Sequence, residues 1–379
     1  MFTKITSLLF LVLLTITSLT AQQLQTPPSG NNQKSIVTQY IGSIAHVTVI
    51  YNSPDVTAPN GDDRKGQIWG QVVPYGLAPN NFGTATEMPW RAGANENTII
   101  KFSHDVTVQG KPLDAGAYGL HMIPRENAPW TIIFSKNTSS WGSYFYDESE
   151  DALRVEATPE KAPYHEWLSF EFIDRQPASA TVALFWEELS VPFTIEVPNM
   201  NELYLAAMKE DLRGSAGFTW QNLVQAATFA LQNNLDLEQA LAWAETAATT
   251  SFVGQANFTT LATKAQVLMQ MGRNDEAMAT MQQAIEHPTA SALQIHSYGR
   301  QLLSMGKKAE ALKVFEYNYD KFDGAWPTAV GMARGLSAVG EYAKALKHAE
   351  TAVKQAPDQL NKDAMAQAVE KLKKKEDIN

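Results

Sequence analysis

A spacing of 34 residues recurs in the second half of this 379-residue chain and limits its fold more than any other feature. The segments "GRNDEAMATM", "GKKAEALKVF" and "GEYAKALKHA" place Gly272, Gly306 and Gly340 34 residues apart, and Ala277, Ala311 and Ala345 keep the same step. Ala265, Gly299 and Ala333 stand seven residues before those glycines. The pattern here is helical, and a small residue at that place suits paired helices that must approach closely. No single copy hides its own apolar face, so neighbouring copies must stack. Ala240, in "LEQALAWAETAA", marks an earlier degenerate copy, and its 37-residue distance from Ala277 implies an insertion near "TTSFVGQ".

Over roughly 215–357 these positions resemble the tetratricopeptide family, although the family's closing proline survives only at Pro357. The basic stretch "EKLKKKED" ends an expected capping helix, which a repeat array needs to cover its last apolar face. The resemblance implies a partner-binding groove lined by the first helix of each pair, with the residue six before each marker glycine facing into it. Those residues are Gln266, Arg300 and Arg334, with His296 one helical turn before Arg300. Arg300 and Arg334 are expected side by side, poised for a carboxylate from a protein or peptide partner or from the acidic first half of the chain. Pairing of both with neighbouring acids on a solvated face is the alternative.

Upstream, from about 36 to 197, the period is two. "AHVTVIY", "NTIIKFS", "AYGLHMI", "WTIIFS", "ALRVEAT", "EWLSFEFI", "ATVALFWEEL" and "PFTIEV" are rich in β-branched and aromatic residues and are separated by turn clusters such as "NSPD" and "QGKPLDAG". Roughly eight such strands predict an antiparallel β-sandwich or barrel, followed from residue 198 to 379 by the helical array. Residues 52–93, rich in Pro and Gly, make a connection too long to be a simple turn.

The chain opens with Lys4, the apolar run "LLFLVLLTI" and "TSLTAQQ", the order of a secretory signal peptide ending at Ala21. The expectation is an exported protein, periplasmic or extracellular, with 1–21 removed, 22–35 a flexible linker and no later membrane span. There is no cysteine, which excludes disulfides, thiolate metal sites and a cysteine nucleophile. Residues 22–200 hold 11 Lys and Arg against 20 Asp and Glu, net −9; residues 201–379 hold 18 against 20, net −2. This balance speaks against nucleic acid as a partner.

The segments "YNSP", "DRKGQIWGQVVPYG", "WRAGANENT", "AGAYGLHMIP", "WTIIFS", "SWGSYFYDESEDALRV" and "LFWEE" together resemble the exported bacterial family called domain of unknown function 2911. That resemblance implies a fold and a cell-envelope setting and no mechanism.

Chemistry concentrates in "PWRAGANEN", residues 89–97. Arg91 offers a planar fork of donors, Gly93 suits a positive-φ turn, and amides from Gly93 to Asn95 form a nest suited to an anion. Two readings stand: Arg91 clamped internally by Glu96 with Asn95 capping the turn, or Trp90, Arg91, Gly93, Asn95, Glu96 and His121 in a pocket for a small anionic or glycan ligand. Trp69, Trp90 and Trp141 lie beside Gly-rich loops and are the expected pocket aromatics, whereas Trp130, Trp167 and Trp186 fall in strands and are expected in the core. The rival to a binding role is an envelope hydrolase with Glu96 as general base, Arg91 on a developing oxyanion and a histidine nearby. His46, His104, His121 and His165 are read as separate side chains rather than a metal centre, and no motif calls for a cofactor.

Overall fold

The computed structural model describes residues 32–249 and 251–379. The expected signal peptide lies outside the described residues, as does most of the expected linker. By contacts the chain divides at residue 200 into a β unit and a helical unit.

The β unit contains β1 (Gln33–Ile41), β2 (Ala45–Ser53), β3 (Ala78–Pro79), β4 (Glu87–Met88), β5 (Ile99–Phe102), β6 (Val106–Val108), β7 (Lys111–Leu113), β8 (Gly116–Ile123), β9 (Trp130–Ser135), β10 (Asp151–Ala157), β11 (Glu160–Arg175) and β12 (Ser179–Glu196). They form an antiparallel six-stranded sheet in the order β1-β2-β5-β8-β9-β10 and a four-stranded sheet in the order β11-β12-β6-β7; β3 and β4 pair separately. The sheets are open and face each other, a sandwich rather than a barrel. Tyr51 meets Phe170 with ring centroids 5.0 Å apart, and Phe134 meets Phe193 at 6.1 Å, joining one sheet to the other. Period two does its expected work on β2, where Ala45, Val47, Val49 and Tyr51 are buried on one face.

Three expectations need correction. β1 begins at Gln33, inside the segment read as linker. "QGKPLDAG" is not one turn: β6 and β7 form a tight hairpin around Gln109 and Gly110, both with positive φ as such turns require. "ATVALFWEEL" and "PFTIEV" are one strand, β12, and Pro192 falls where its pairing passes from β11 to β6, so no ladder hydrogen bond is lost there.

The helical unit runs α1 (Met200–Asp211), α2 (Trp220–Gln232), α3 (Leu237–Thr249), α4 (Phe258–Gln270), α5 (Asn274–Glu286), α6 (Ala292–Ser304), α7 (Lys308–Lys321), α8 (Trp326–Ala338), α9 (Tyr342–Gln355) and α10 (Gln359–Lys373). The marker glycines end α4, α6 and α8. Gly272, Gly306 and Gly340 have φ of 77°, 75° and 82°. Each is followed by an amide that closes a six-residue ring onto the helix, as in Arg273 N–H to Leu268 O at 2.9 Å, Lys307 to Leu302 at 2.9 Å and Glu341 to Leu336 at 2.9 Å. This is the Schellman cap, and its left-handed residue is why glycine keeps the 34-residue step. Ala265, Gly299 and Ala333 are buried at the helix crossings, as are Ala277, Ala311 and Ala345. Met365, Val369 and Leu372 of α10 close the core at its last exposed face.

Candidate functional site

In the β unit, the segment 89–97 is held by backbone and side chains together. Trp90 exchanges two 2.8 Å backbone hydrogen bonds with Met122 of β8, Ala94 donates to Asn52 O at 3.1 Å, and Thr98 Oγ1 donates to Ala92 O at 3.1 Å. The positive-φ residues are Ala92 (50°) and Asn95 (57°), not Gly93. Gly93 is required for space instead: a Cβ there would lie 2.8 Å from Thr98 Oγ1 and 3.0 Å from Asn52 O. The anion nest is likewise corrected, since the Ala94 amide is already taken by Asn52.

Arg91 does not pair with Glu96. Its Nη1 donates to Asn95 O at 2.6 Å, and its guanidinium lies 5.2 Å from the centre of the Tyr144 ring. Gly142, at φ 62°, lets that guanidinium lie flat against the backbone; a Cβ would sit 2.3 Å from Arg91 Cζ. Glu96 is exposed and accepts from Asn52 Nδ2 at 2.7 Å, tying the loop to β2. The internal clamp therefore exists with a carbonyl in place of the carboxylate.

Trp90, Arg91, Gly93 and Asn95 do share one cleft, of about 500 Å³, with Arg64 and Trp186. Glu96 and His121 do not line it. His121 is buried behind Arg91, its Nδ1 2.8 Å from Ser143 Oγ, and Ser143 opens on a smaller hollow of about 150 Å³ with Trp90 and Arg91. The assignment of Glu96 as general base thus loses its geometry. The aromatic expectation also changes. Trp69 packs near-perpendicular to Trp90 (80°) and Trp186 (84°) at 5.7 Å each, and Trp130 lies 5.1 Å away; Trp90 and Trp186 are nearly parallel at 16°. Trp69 is therefore the centre of a four-tryptophan cluster, while Trp167 is 43% exposed and not core. The Nε1 groups of Trp69 and Trp186 are buried without a nitrogen or oxygen acceptor, and the right-angle ring contacts suit N–H to π-face interactions.

The other histidines keep separate company. His46 faces Tyr40, His104 Nδ1 lies 2.9 Å from Ser103 Oγ, and His165 stacks on Phe185. Among the described residues no three ligand-type side chains cluster.

Burial pushes His121 down to about 4, and the positive charge of Arg91 adds to the shift. In the unfolded chain a histidine titrates near 6.5, so below that pH the unfolded state takes up a proton that the native state refuses. The contribution of neutral His121 is complete above pH 6.5 and is lost as pH falls toward 4. The β unit is expected to lose on the order of 3 kcal/mol across that window, read from urea midpoints at each pH, with a flatter profile for His121→Gln.

In the helical unit, Gln266 lies on α4. It lines two adjoining hollows of about 290 and 430 Å³. Met281 of α5 and Tyr298 and Gln301 of α6 border both, so the two form one groove across α4 to α6. Met269, Met278 and Met305 extend its apolar wall. His296 is corrected: it is buried, its ring 5.6 Å from that of Phe315 and its Nδ1 3.1 Å from where a Cβ of Gly331 would stand. Burial first, then Arg334 and Arg300, lower its pKa to about 4. Arg300 is exposed, and Arg334 is half-buried with its Nη1 3.4 Å from Ile378 O. Arg300 is near enough to Arg334 to disfavour its charge. Neither makes an ion pair among the described residues. Tyr298, Gln301 and the methionines were not foreseen; their recurrence at groove-facing helical spacing was the available signal.

Residues 32–195 match the model of the family described as "Protein of unknown function (DUF2911)". No curated protein matches the chain. Among solved structures, the chain is similar to the crystal structure of MamA (15% identity, 41% of this chain and 88% of that one, TM-score 0.31). It is similar also to a thermophilic tetratricopeptide protein of Thermus thermophilus (15% identity, 45% and 90%, TM-score 0.31). A third is YrrB, described as a tetratricopeptide protein with an unusual peptide-binding site (16% identity, 47% and 87%, TM-score 0.29). The sequence period, the Schellman turns and the paired helices carry the architecture independently of those likenesses. Residues 32–195 thus match the DUF2911 family model, and a tetratricopeptide-like array of helices follows them in the same chain.

Proposed function

We propose that this is a binding protein whose helical unit takes an extended segment of a protein partner along the groove of α4, α5 and α6. The carrying observation is the continuity of that groove: Gln266, Met281, Tyr298 and Gln301 border both of its hollows. Methionines adapt to varied apolar side chains, and the two glutamine amides can donate to and accept from a passing peptide backbone. Export is part of the reading and rests on the order of residues 1–21 alone.

An array of immobilised peptides, probed with the whole protein, tests this. Sequences it retains are expected to lose at least tenfold in affinity with Tyr298→Ala and with Gln266→Glu, while Gln359→Ala on α10 leaves them unchanged. Retention unaffected by both groove variants would contradict the reading.

The cleft of the β unit supports a second, smaller binding role. The half-exposed Trp90 ring beside Trp186, with Arg64 and Arg91 at the wall, suits a ring-bearing or sugar-like ligand that carries an acceptor or negative charge. Both guanidiniums are already engaged with carbonyls: Arg64 with Val56 and Asp55 at 3.0 and 2.8 Å, and Arg91 with Asn95. They are therefore preorganised, and a ligand would share their remaining donors. Glu96, the expected general base, lies outside the cleft, whose lining carboxylate is Asp55, so the hydrolase role built on Glu96 is not carried forward.

A further inference from the structure

The segment after α10 does not leave the molecule. Lys375 adopts φ 60°, Lys375 N–H bonds Leu372 O at 3.0 Å and Glu376 N–H bonds Lys371 O at 3.0 Å. This is again a Schellman cap, with lysine where glycine is usual. It turns the chain back onto α8. There Ser337 Oγ donates to Asp377 Oδ1 at 2.8 Å and accepts from Ile378 N–H at 3.1 Å. Arg334 Nη1 reaches Ile378 O at 3.4 Å, and Arg334 O accepts from Asn379 Nδ2 at 3.1 Å. Ile378 packs its side chain against the core of the repeats. Asp377 Oδ1 also accepts from Asn379 Nδ2 at 2.7 Å and from Asn379 N–H at 3.2 Å, which fixes the segment's own turn.

Arg334 and Ser337 stand three residues apart, on one face of α8. Between them they read a carboxylate, a backbone N–H and C=O and a carboxamide, while the aliphatic side chain of Ile378 is taken by the core of the repeats. Burial alone would raise the Asp377 pKa, yet the hydrogen bonds from Ser337 and Asn379, with Lys308 nearby, leave it lowered. Arg334, by contrast, is held below the usual guanidinium range by burial and by Arg300. The charge of Asp377 partly offsets both effects.

We propose that this face of α8 is a recognition site for an extended peptide of the form acidic–aliphatic–carboxamide from a second protein, occupied in cis by Asp377-Ile378-Asn379. The site deepens the binding role of the helical unit but uses residues apart from the α4–α6 groove, so Tyr298 and Gln266 variants bear on one and Arg334 and Ser337 variants on the other. A tethered occupant acts at an effective concentration of about millimolar, so a partner segment binds the intact chain more weakly than a chain without its own segment.

The experiment compares the whole chain with one ended at Lys375, each titrated by NMR with an acetylated, amidated Lys-Glu-Asp-Ile-Asn peptide. The shortened chain is expected to show saturable shifts in the amides from Arg334 to Ala338, and the whole chain at least tenfold weaker ones. Ser337→Ala with Arg334→Ala in the shortened chain should abolish them, as should Asp→Ala in the peptide. Equal response of both chains, or shifts that survive the double variant, would overturn the proposal. So would the absence of shifts in a shortened chain of normal helical content. If shortening costs helical content, the full-length Asp377→Ala/Ile378→Ser variant decides: peptide shifts there support the site, and none overturn it.

Discussion

Phe315→Ala is expected to lower the stability of the helical unit by about 3–5 kcal/mol, the cost of emptying a fully buried aromatic site. Phe315 is the point on which three helices close. It has no exposed surface, and a Cβ at Gly299, Gly331 or Gly335 would come within 2.4, 2.6 or 2.8 Å of its ring. The repeat shows how this arose. At the equivalent positions of the copies before and after, Gly299 is replaced by Ala265 and Ala333, while Phe315 is replaced by Met281 and Ala349. The middle copy removes a methyl group from one helix and fills the space with a ring from its neighbour. Backbone close to a glycine relaxes little, so alanine at 315 leaves a cavity rather than a collapse. Urea unfolding followed by circular dichroism would read the loss as a lower midpoint with an unchanged slope. A loss under about 1 kcal/mol would show that the three glycines serve something other than this ring.

Trp186→Ala is expected to cost the β unit about as much, roughly 3–5 kcal/mol, and to alter the cleft as well. Trp186 is 2% exposed, and it supports Trp69 and Trp90 through ring contacts at 5.7 and 6.2 Å. Those two rings both belong to the long connection between β2 and β5 and tie it to the core. Their loosening should expose that connection to protease well before the sheets unfold. Trp141, 53% exposed, is the control: alanine there should change stability by less than about 0.5 kcal/mol. If Trp186→Ala melted like Trp141→Ala, the cluster would not be what holds the cleft.

How far the residues announce all this depends on the range of the interaction that decides each feature. The marker glycines are local: their left-handed φ closes a helix within six residues, so spacing alone located the helix pairs. Most strands were equally plain, because alternation on β2 is set by one buried face. The β6–β7 hairpin was hidden because Pro112 and short strands of three residues each leave too little alternation to see. Trp167 shows the limit of a composition argument, for aromatic residues favour strands whether they face the core or water. Around Arg91 the residues of the site were visible and their pairing was not. A carboxylate five residues away looks like the natural partner, but Asn95 at positive φ turns its carbonyl to the guanidinium and Asn52, distant in sequence, claims Glu96. The docked segment was the least legible. "EKLKKKED" announces the end of a capping helix and nothing beyond it, and only the left-handed turn at Lys375 brings Ile378 back to the core.

The central claim is that the helical unit binds a partner segment along α4 to α6, and hydrogen exchange measures it most directly. A peptide retained by the whole protein should be added at saturation, and amide exchange followed along the chain. Slower exchange is expected in α4 and α6, around Gln266, Tyr298 and Gln301, and it should vanish in Tyr298→Ala. Protection confined to residues 32–197, or spread unchanged in the Tyr298→Ala protein, would contradict the account.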